Sequence, residues 1–299
     1  MSALLPLAGA GAAAGAALLG YATLEARWYR LRRLVLPGAL RRPGATLRLL
    51  HVSDVHLAHG QDHRVRFLRS LAELEADLTV ITGDLLGDVD IEDVAVDAVA
   101  QLTGPGRPGL FVLGSNDLYG PLPKSPHRYL THRRLPIHGT PLDFDRLVER
   151  LDGAGYTTVR NRAVAVATRA GDVAVGGIDD PHLEETVVPA ADTLTPDAAG
   201  LGDGLLNLGL VHAPYLRALD TLSDAGHDLL LAGHTHGGQV RIPGVGAVVA
   251  NCDLPLDRAR GESRYRDRWL HVSPGLGHSK YTPFRVACRP EATLLELRG

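Results

Sequence analysis

From Thr46 onward the chain alternates short apolar runs with amphipathic segments, and the alternation predicts the elements. TLRLLHVS (46–53), DLTVIT (77–82), GLFVLG (109–114), LNLGLVH (206–212) and DLLLAG (228–233) are runs of strand length. Between them HRVRFLRSLAELE (63–75), IEDVAVDAVAQL (91–102), FDRLVERLDGAG (144–155) and residues 215–225 repeat apolar positions at helical spacing. VAVATRAGDVAVGGI (164–178) predicts a hairpin, and GQVRIP, WLHVS and FRVACRPEATLLEL make the last part strand-rich. Strand and helix in alternation predict an α/β class with helices on both faces of sheet. Residues 121–141, rich in Pro, His and Arg, form a long excursion.

The first 24 residues carry no charged side chain and consist mostly of Ala, Gly and Leu. Their length suits a spanning helix. Arg27, Arg30, Arg32 and Arg33 follow the run and no basic residue precedes it, which disfavours a cleavable signal. The expectation is a membrane anchor over 1–26, with the N-terminus outside and the remainder at the cytoplasmic face of the cell membrane. A basic, Pro/Gly-containing linker over 27–45 would lead into one domain over 46–299.

Composition narrows the chemistry. A formal net charge of -3 over 299 residues argues against a nucleic-acid-binding body. Cys252 and Cys288 support neither a disulfide framework nor a zinc-finger spacing. The fourteen histidines are more informative, because several follow strands beside glycine. The first strand ends in Asp54-Val-His56 and the second in Gly83-Asp84. The third ends in Gly114-Ser115-Asn116-Asp117, a later one in His212, and the next in Gly233-His234-Thr-His236. Ligands bind beyond the carboxyl ends of strands in open α/β sheets, so these residues share one rim. A lone strand-end Asp is ordinarily a helix cap, but five consecutive strand ends of this kind point to metal. Imidazole with carboxylate suits Zn, Mn or Fe better than Mg alone. About seven ligands exceed one tetrahedral ion and fit two ions sharing a carboxylate.

D-x-H, G-D, a G-N-H-[DE]-like loop, a late His and G-H-x-H, in this order from Leu49 to about His236, resemble the calcineurin-like metallophosphoesterase superfamily. The tail HVSPGLGHSKYTPFRVACRPEATLLEL resembles its bacterial, often membrane-attached, single-domain branch. The resemblance implies a four-layer fold, a central β-sandwich of mixed sheets flanked by helices, here with an N-terminal hydrophobic helix. It implies a hydrolase of phosphomono- or phosphodiesters in which a metal-bridging hydroxide attacks phosphorus, with two divalent ions as cofactors. Asp54, His56 and His236 would hold one ion, Asp84 would bridge, and His212 and His234 would hold the second with an Asn from the glycine loop. The loop departs from the pattern. Aligned without a gap, Ser115 takes the ligand position and Asn116 that of the histidine assisting the leaving group. Shifted by one, Asn116 is the ligand, the preferred reading because an amide oxygen matches the expected donor.

The loop histidine is absent either way, so proton transfer falls to other groups. Asp117 and His182, the latter in GIDDPH, are the catalytic candidates. His127 and Arg128 of the excursion are the candidates for substrate binding, with His132, His138, Arg133 and Arg134 nearby. His278 could reach the rim, His51 reads as structural and Cys288 as core. An anchor would favour lipid-linked phosphate esters as substrates. Two other classes stay open, a catalytically impaired interaction protein on the same fold and a two-metal hydrolase of a non-phosphate bond.

Overall fold

LTVIT (78–82) and LNLGLV (206–211) bury every residue, the pattern of strands covered on both faces. The computed structural model describes residues 4–123, 139–183 and 186–299, the side chains of 4–12 and 14 excepted. The first half runs α1 (Leu4–Glu25), β1 (Arg30–Leu36), β2 (Thr46–Val52), α2 (Asp62–Ser70), β3 (Leu78–Thr82), α3 (Glu92–Val99), β4 (Gly109–Val112) and the single turn α4 (Ser115–Leu118). Then come α5 (Phe144–Gly153), β5 (Tyr156–Thr158), β6 (Arg162–Thr168), β7 (Gly171–Ile178), β8 (Leu206–Val211), α6 (Leu216–Asp224) and β9 (Leu229–Ala232). A two-stranded ribbon, β10 (Arg241–Ile242) and β11 (Gly246–Ala247), precedes β12 (Gly261–Tyr265), β13 (Arg268–Val272) and β14 (Glu291–Arg298).

Two six-stranded mixed sheets result, ordered β1-β14-β2-β3-β4-β5 and β12-β13-β9-β8-β7-β6. In the first, β2 to β5 are parallel and β14 runs antiparallel to β2. In the second, β7, β8, β9 and β13 are parallel, with β6 and β12 as antiparallel edges. Side-chain alternation divides each strand between two cores. Leu47, Leu49, Leu78, Val80, Leu110 and Val112 pack between the sheets against Val173, Val175, Leu206, Leu208, Leu229 and Leu231. Their neighbours Leu50, Val52, Ile81 and Phe111 face outward onto Leu68, Ala95, Val99, Leu147 and Leu151 of α2, α3 and α5. On the far side Val211, Leu230 and Val272 meet Ala218, Leu219 and Leu222 of α6. Helix, sheet, sheet and helix make the four layers that the motif resemblance implied.

Two N-terminal expectations are corrected. The linker expected over 27–45 contains a strand, since Arg30–Leu36 pairs in parallel along β14. Its apolar positions Leu31, Leu34 and Leu36 pack into the domain. Glu291 and Glu262 take the charges of Arg30 and Arg32, so a basic segment serves as an edge strand. The spanning helix expected over 1–26 is not met either. Helix α1 forms, but among the described residues no helix is long and apolar enough to cross a membrane. Alanine and glycine supply little transfer free energy per residue. The helix end is built into the domain instead, with Ala22, Glu25 and Ala26 buried. The Glu25 carboxylate accepts the Ala287 and Cys288 backbone N–H groups at 3.0 and 2.7 Å.

Candidate metal centre

The carboxyl ends of β2, β3 and β4 in one sheet and of β7, β8 and β9 in the other converge, and the strand-end residues meet there. Two sets of ligand atoms lie within 4.8 Å of one another, Asp54 with His56 and His236, and Asp54 with Asp84 and His212. His56 Nε2 and His236 Nε2 face each other at 3.2 Å, and Asp54 Oδ1 stands 3.6 Å from His236 Nε2. Two imidazole nitrogens on one tetrahedral ion, each bonded at about 2.0–2.1 Å, stand about 3.3 Å apart. The set therefore fits a small divalent ion. Asp84 Oδ2, of the second set, stands 3.3 Å from His56 Nε2 of the first and 3.5 Å from His212 Nε2. The His234 ring centroid is 5.2 Å from that of His212.

Hydrogen bonds to the far sides of these groups fix their orientation. His212 Nδ1 bonds the Thr82 carbonyl at 2.7 Å, which leaves Nε2 as the free atom, buried and without a hydrogen-bond partner. His236 Nδ1 faces the Gly277 carbonyl at 3.2 Å. Both Asp54 oxygens accept the His234 N–H, at 3.1 and 2.9 Å. Close approach explains the glycines: a Cβ at Gly114 would collide with Asp84 Oδ1, and one at Gly233 with Ser53 Oγ and Asp54 Oδ2. Asp54, His56, Asp84, His234 and His236 all have left-handed backbone, with φ of 45°, 43°, 53°, 67° and 49°. Non-glycine residues rarely adopt that conformation.

Burial and the opposed charges of neighbouring groups set the electrostatics of the cluster. Burial pushes the Asp54 carboxyl up to about 6 against the opposing pull of His212. Burial would also raise Asp84, but His212, His56 and the Asn116 N–H hold it well below the usual carboxylate range. Burial pushes His56 down to about 4 and holds His234 and His236 well below the ordinary imidazole value, so all three present the neutral, ligating form. His212 goes the other way. Burial disfavours its charge, but Asp84, Asp180 and Asp54 hold its pKa well above the ordinary value.

The remaining expectations divide. In the glycine loop it is Asn116 that reaches Asp84, donating from its backbone N–H to Oδ1 at 2.9 Å and from Nδ2 to Oδ2 at 2.7 Å. The Ser115 N–H instead faces the Asp180 carboxylate. Asp117, expected as a catalytic group, is corrected. Fully buried, it accepts four backbone N–H groups, from Asp84 and Gly114 on Oδ2 and from Leu85 and Leu86 on Oδ1, at 2.8–3.1 Å. Both oxygens are consumed in shaping the loop that carries Asp84. His182 does come to the centre, its ring centroid 4.4 Å from that of His234 and its Nδ1 3.0 Å from the Tyr215 hydroxyl. His127 and Arg128 lie outside the described residues, as do His132, Arg133, Arg134 and His138. His278 is buried beside Arg64 at 3.5 Å, and buried Cys288 packs its Sγ 3.3 Å from the His236 carbonyl.

Three supports escaped the sequence reading. Arg64 donates to the Val55 and His56 carbonyls, both at 2.7 Å, and Arg285 donates to those of Pro274 and Gly277 at 2.8 and 2.5 Å. Both are fully buried, and among the described residues neither pairs with a carboxylate. The third is a buried relay joining the sheets. His271 Nδ1 meets His51 Nδ1 at 2.8 Å and His51 Nε2 meets Thr82 Oγ1 at 2.9 Å. Thr82 then donates to Ser53 Oγ at 2.7 Å and Ser53 to Asp54 Oδ2 at 2.6 Å. Its only written trace is the repeated His-Val-Ser, at 51–53 and 271–273.

The chain is similar to several known proteins. The uncharacterized metallophosphoesterase YkoQ of Bacillus subtilis (strain 168) is 28% identical over 255 residues, 84% of this chain and 83% of its own length. The phosphodiesterase YaeI of Escherichia coli (strain K12) is 34% identical over 152 residues, half of each chain. A solved structure, TT1561 of Thermus thermophilus, aligns over 77% of this chain and 90% of its own, with a TM-score of 0.45 at 12% identity. The sequence profile of calcineurin-like phosphoesterases matches residues 47–238, which begin in β2 just before Asp54 and end just beyond His236. The chain belongs to the calcineurin-like phosphoesterase family.

Proposed function

We propose that the protein hydrolyses phosphate mono- or diesters at a centre for two divalent ions, Mn, Fe or Zn. The observation that carries this reading is the placement of Asp84 Oδ2 3.3 Å from His56 Nε2 of one ligand set and 3.5 Å from His212 Nε2 of the other. One ion would be held by Asp54, His56 and His236, the other by His212 and His234, with Asp84 shared and the Asn116 amide against it. Ions bound there supply Lewis acidity toward the phosphoryl oxygens and make water a nucleophile near neutral pH. The chain's own residues keep those positions ready. The carbonyls of Thr82 and Gly277 hold the imidazoles of His212 and His236 in orientation, and Asp117 holds the backbone that carries Asp84. Proton delivery to the leaving group is assigned to His182, whose ring packs against His234 and whose Nδ1 is held by Tyr215. A relative named as a phosphodiesterase supports a diester arm in the substrate screen. The exposed Leu18, Leu19 and Leu24 at the end of α1 support a lipid-linked arm.

The test is turnover of bis-p-nitrophenyl phosphate and p-nitrophenyl phosphate by the purified chain with Mn²⁺. Hydrolysis of at least one ester, lost on chelation and restored by Mn²⁺, is expected. A metal-loaded protein that turns over neither overturns the reading in favour of an impaired relative or a different bond.

A further inference from the structure

The GIDDP turn after β7 holds two adjacent carboxylates with opposite fates. Asp179 is solvent-accessible and paired, with Arg160 Nε at 3.1 Å and Nη2 at 3.0 Å from its oxygens. Asp180 is 1% exposed, and no arginine or lysine among the described residues bridges to it. Its Oδ1 accepts the His182 N–H of its own turn at 2.9 Å, while Oδ2 is buried with no hydrogen-bond partner.

Register puts this oxygen at the metal centre. β7 and β8 are parallel and Ile178 pairs with Val211, so Asp180 emerges beside His212 at the ends of adjacent strands. From the opposite sheet the Ser115 N–H faces the same carboxylate, and His212 and Asp84 are the charges that act on it most strongly. A buried carboxylate oxygen needs a donor, a proton or a cation. The Ser115 N–H faces the carboxylate without completing a hydrogen bond to Oδ2. His212 Nε2, its neighbour in the register, is likewise buried and without a hydrogen-bond partner. One imidazole nitrogen and one carboxylate oxygen, both buried without a partner at the ends of adjacent strands, are donor types that a divalent ion takes.

We infer that Asp180 is a ligand of the second ion, acting with His212, His234 and Asp84. The inference rests on the two-ion reading above and adds an anionic donor to it. An extra negative charge at the second position favours a divalent ion there. It also makes the 178–182 turn part of the centre, so His182 is placed by a ligand's own hydrogen bond.

The experiment compares the full-length chain with Asp180→Asn, Asp180→Glu and the control Asp179→Asn. Each is stripped of metal, reconstituted with Mn²⁺, and followed by metal analysis, calorimetric titration and electron paramagnetic resonance. The unsubstituted chain and Asp179→Asn are expected to bind two ions with a coupled spectrum. Asp180→Asn should bind one ion at unchanged affinity and the other at least about 10-fold more weakly, with an uncoupled six-line signal. Asp180→Asn that holds two ions with unsubstituted affinities overturns the assignment and leaves the two-ion reading intact. An unsubstituted chain that binds a single ion overturns both. Should Asp180→Asn fail to fold, Asp180→Glu decides, because a ligand moved by one methylene must change the affinity of one site, and unchanged affinity at both overturns the inference.

Discussion

The two halves of the metal centre are built to different degrees of completion. Around Asp54, His56 and His236 the polar atoms are engaged: Ser53 and the His234 N–H hold Asp54, Arg64 holds the backbone before and at His56, and Arg285 holds the 274–277 loop whose Gly277 carbonyl meets His236. Around Asp84, His212 and His234 two buried atoms, His212 Nε2 and Asp180 Oδ2, have no hydrogen-bond partner. Buried polar groups in folded proteins are nearly always satisfied. Within the centre, the first half is held by the chain's own hydrogen bonds, and the second presents two buried atoms that the chain leaves unpaired.

The sharpest way to break this comparison is Asp84→Asn, which removes the charge between the halves while leaving an acceptor for the Asn116 N–H. A fall in kcat of at least about 10³-fold is expected, with weakened binding of both ions by metal analysis. If only one ion is lost, Asp84 belongs to one half and the division stands differently. Next is Asp117→Asn, in which an amide N–H₂ replaces an oxygen that accepts backbone N–H groups. A loss of about 2–4 kcal/mol is expected, read as a Tm lowered by about 5–10 °C. Unchanged Tm with abolished turnover would return Asp117 to a catalytic role. The smallest effect belongs to Ser53→Ala, which cuts the relay at its last link. Titration should find Mn²⁺ held roughly 10–100-fold more weakly in the Asp54 half alone, on the order of 1.4–2.7 kcal/mol. Equal weakening in both halves would mean that the relay supports the centre as a whole.

Much of the centre could be read before folding, for a physical reason. Each of Asp54, Asp84, His212 and His234 follows a short apolar run that reads as a buried strand, and parallel strands bring their ends to one rim. Asp117 misled because a carboxylate serving four backbone N–H groups and one serving a reaction look alike in a turn sequence. Arg64 and Arg285 were illegible because their partners are carbonyl oxygens, which no side-chain pattern reports. The fold class followed from motif order, but the division of strands between two sheets has no signature in periodicity, since a buried strand alternates identically in either. β1 was missed because Arg30, Arg32 and Arg33 read as linker until Glu291 and Glu262 are seen across from Arg30 and Arg32.

The left-handed backbone at Asp54, His56, Asp84, His234 and His236 reaches beyond catalysis. Glycine would take this backbone at no steric cost, so each position keeps its side chain against the local preference of the chain. Strain of this kind persists only where the surroundings over-determine it, and at Asp54 and Asp84 the backbone N–H groups of His234 and Asn116 do so.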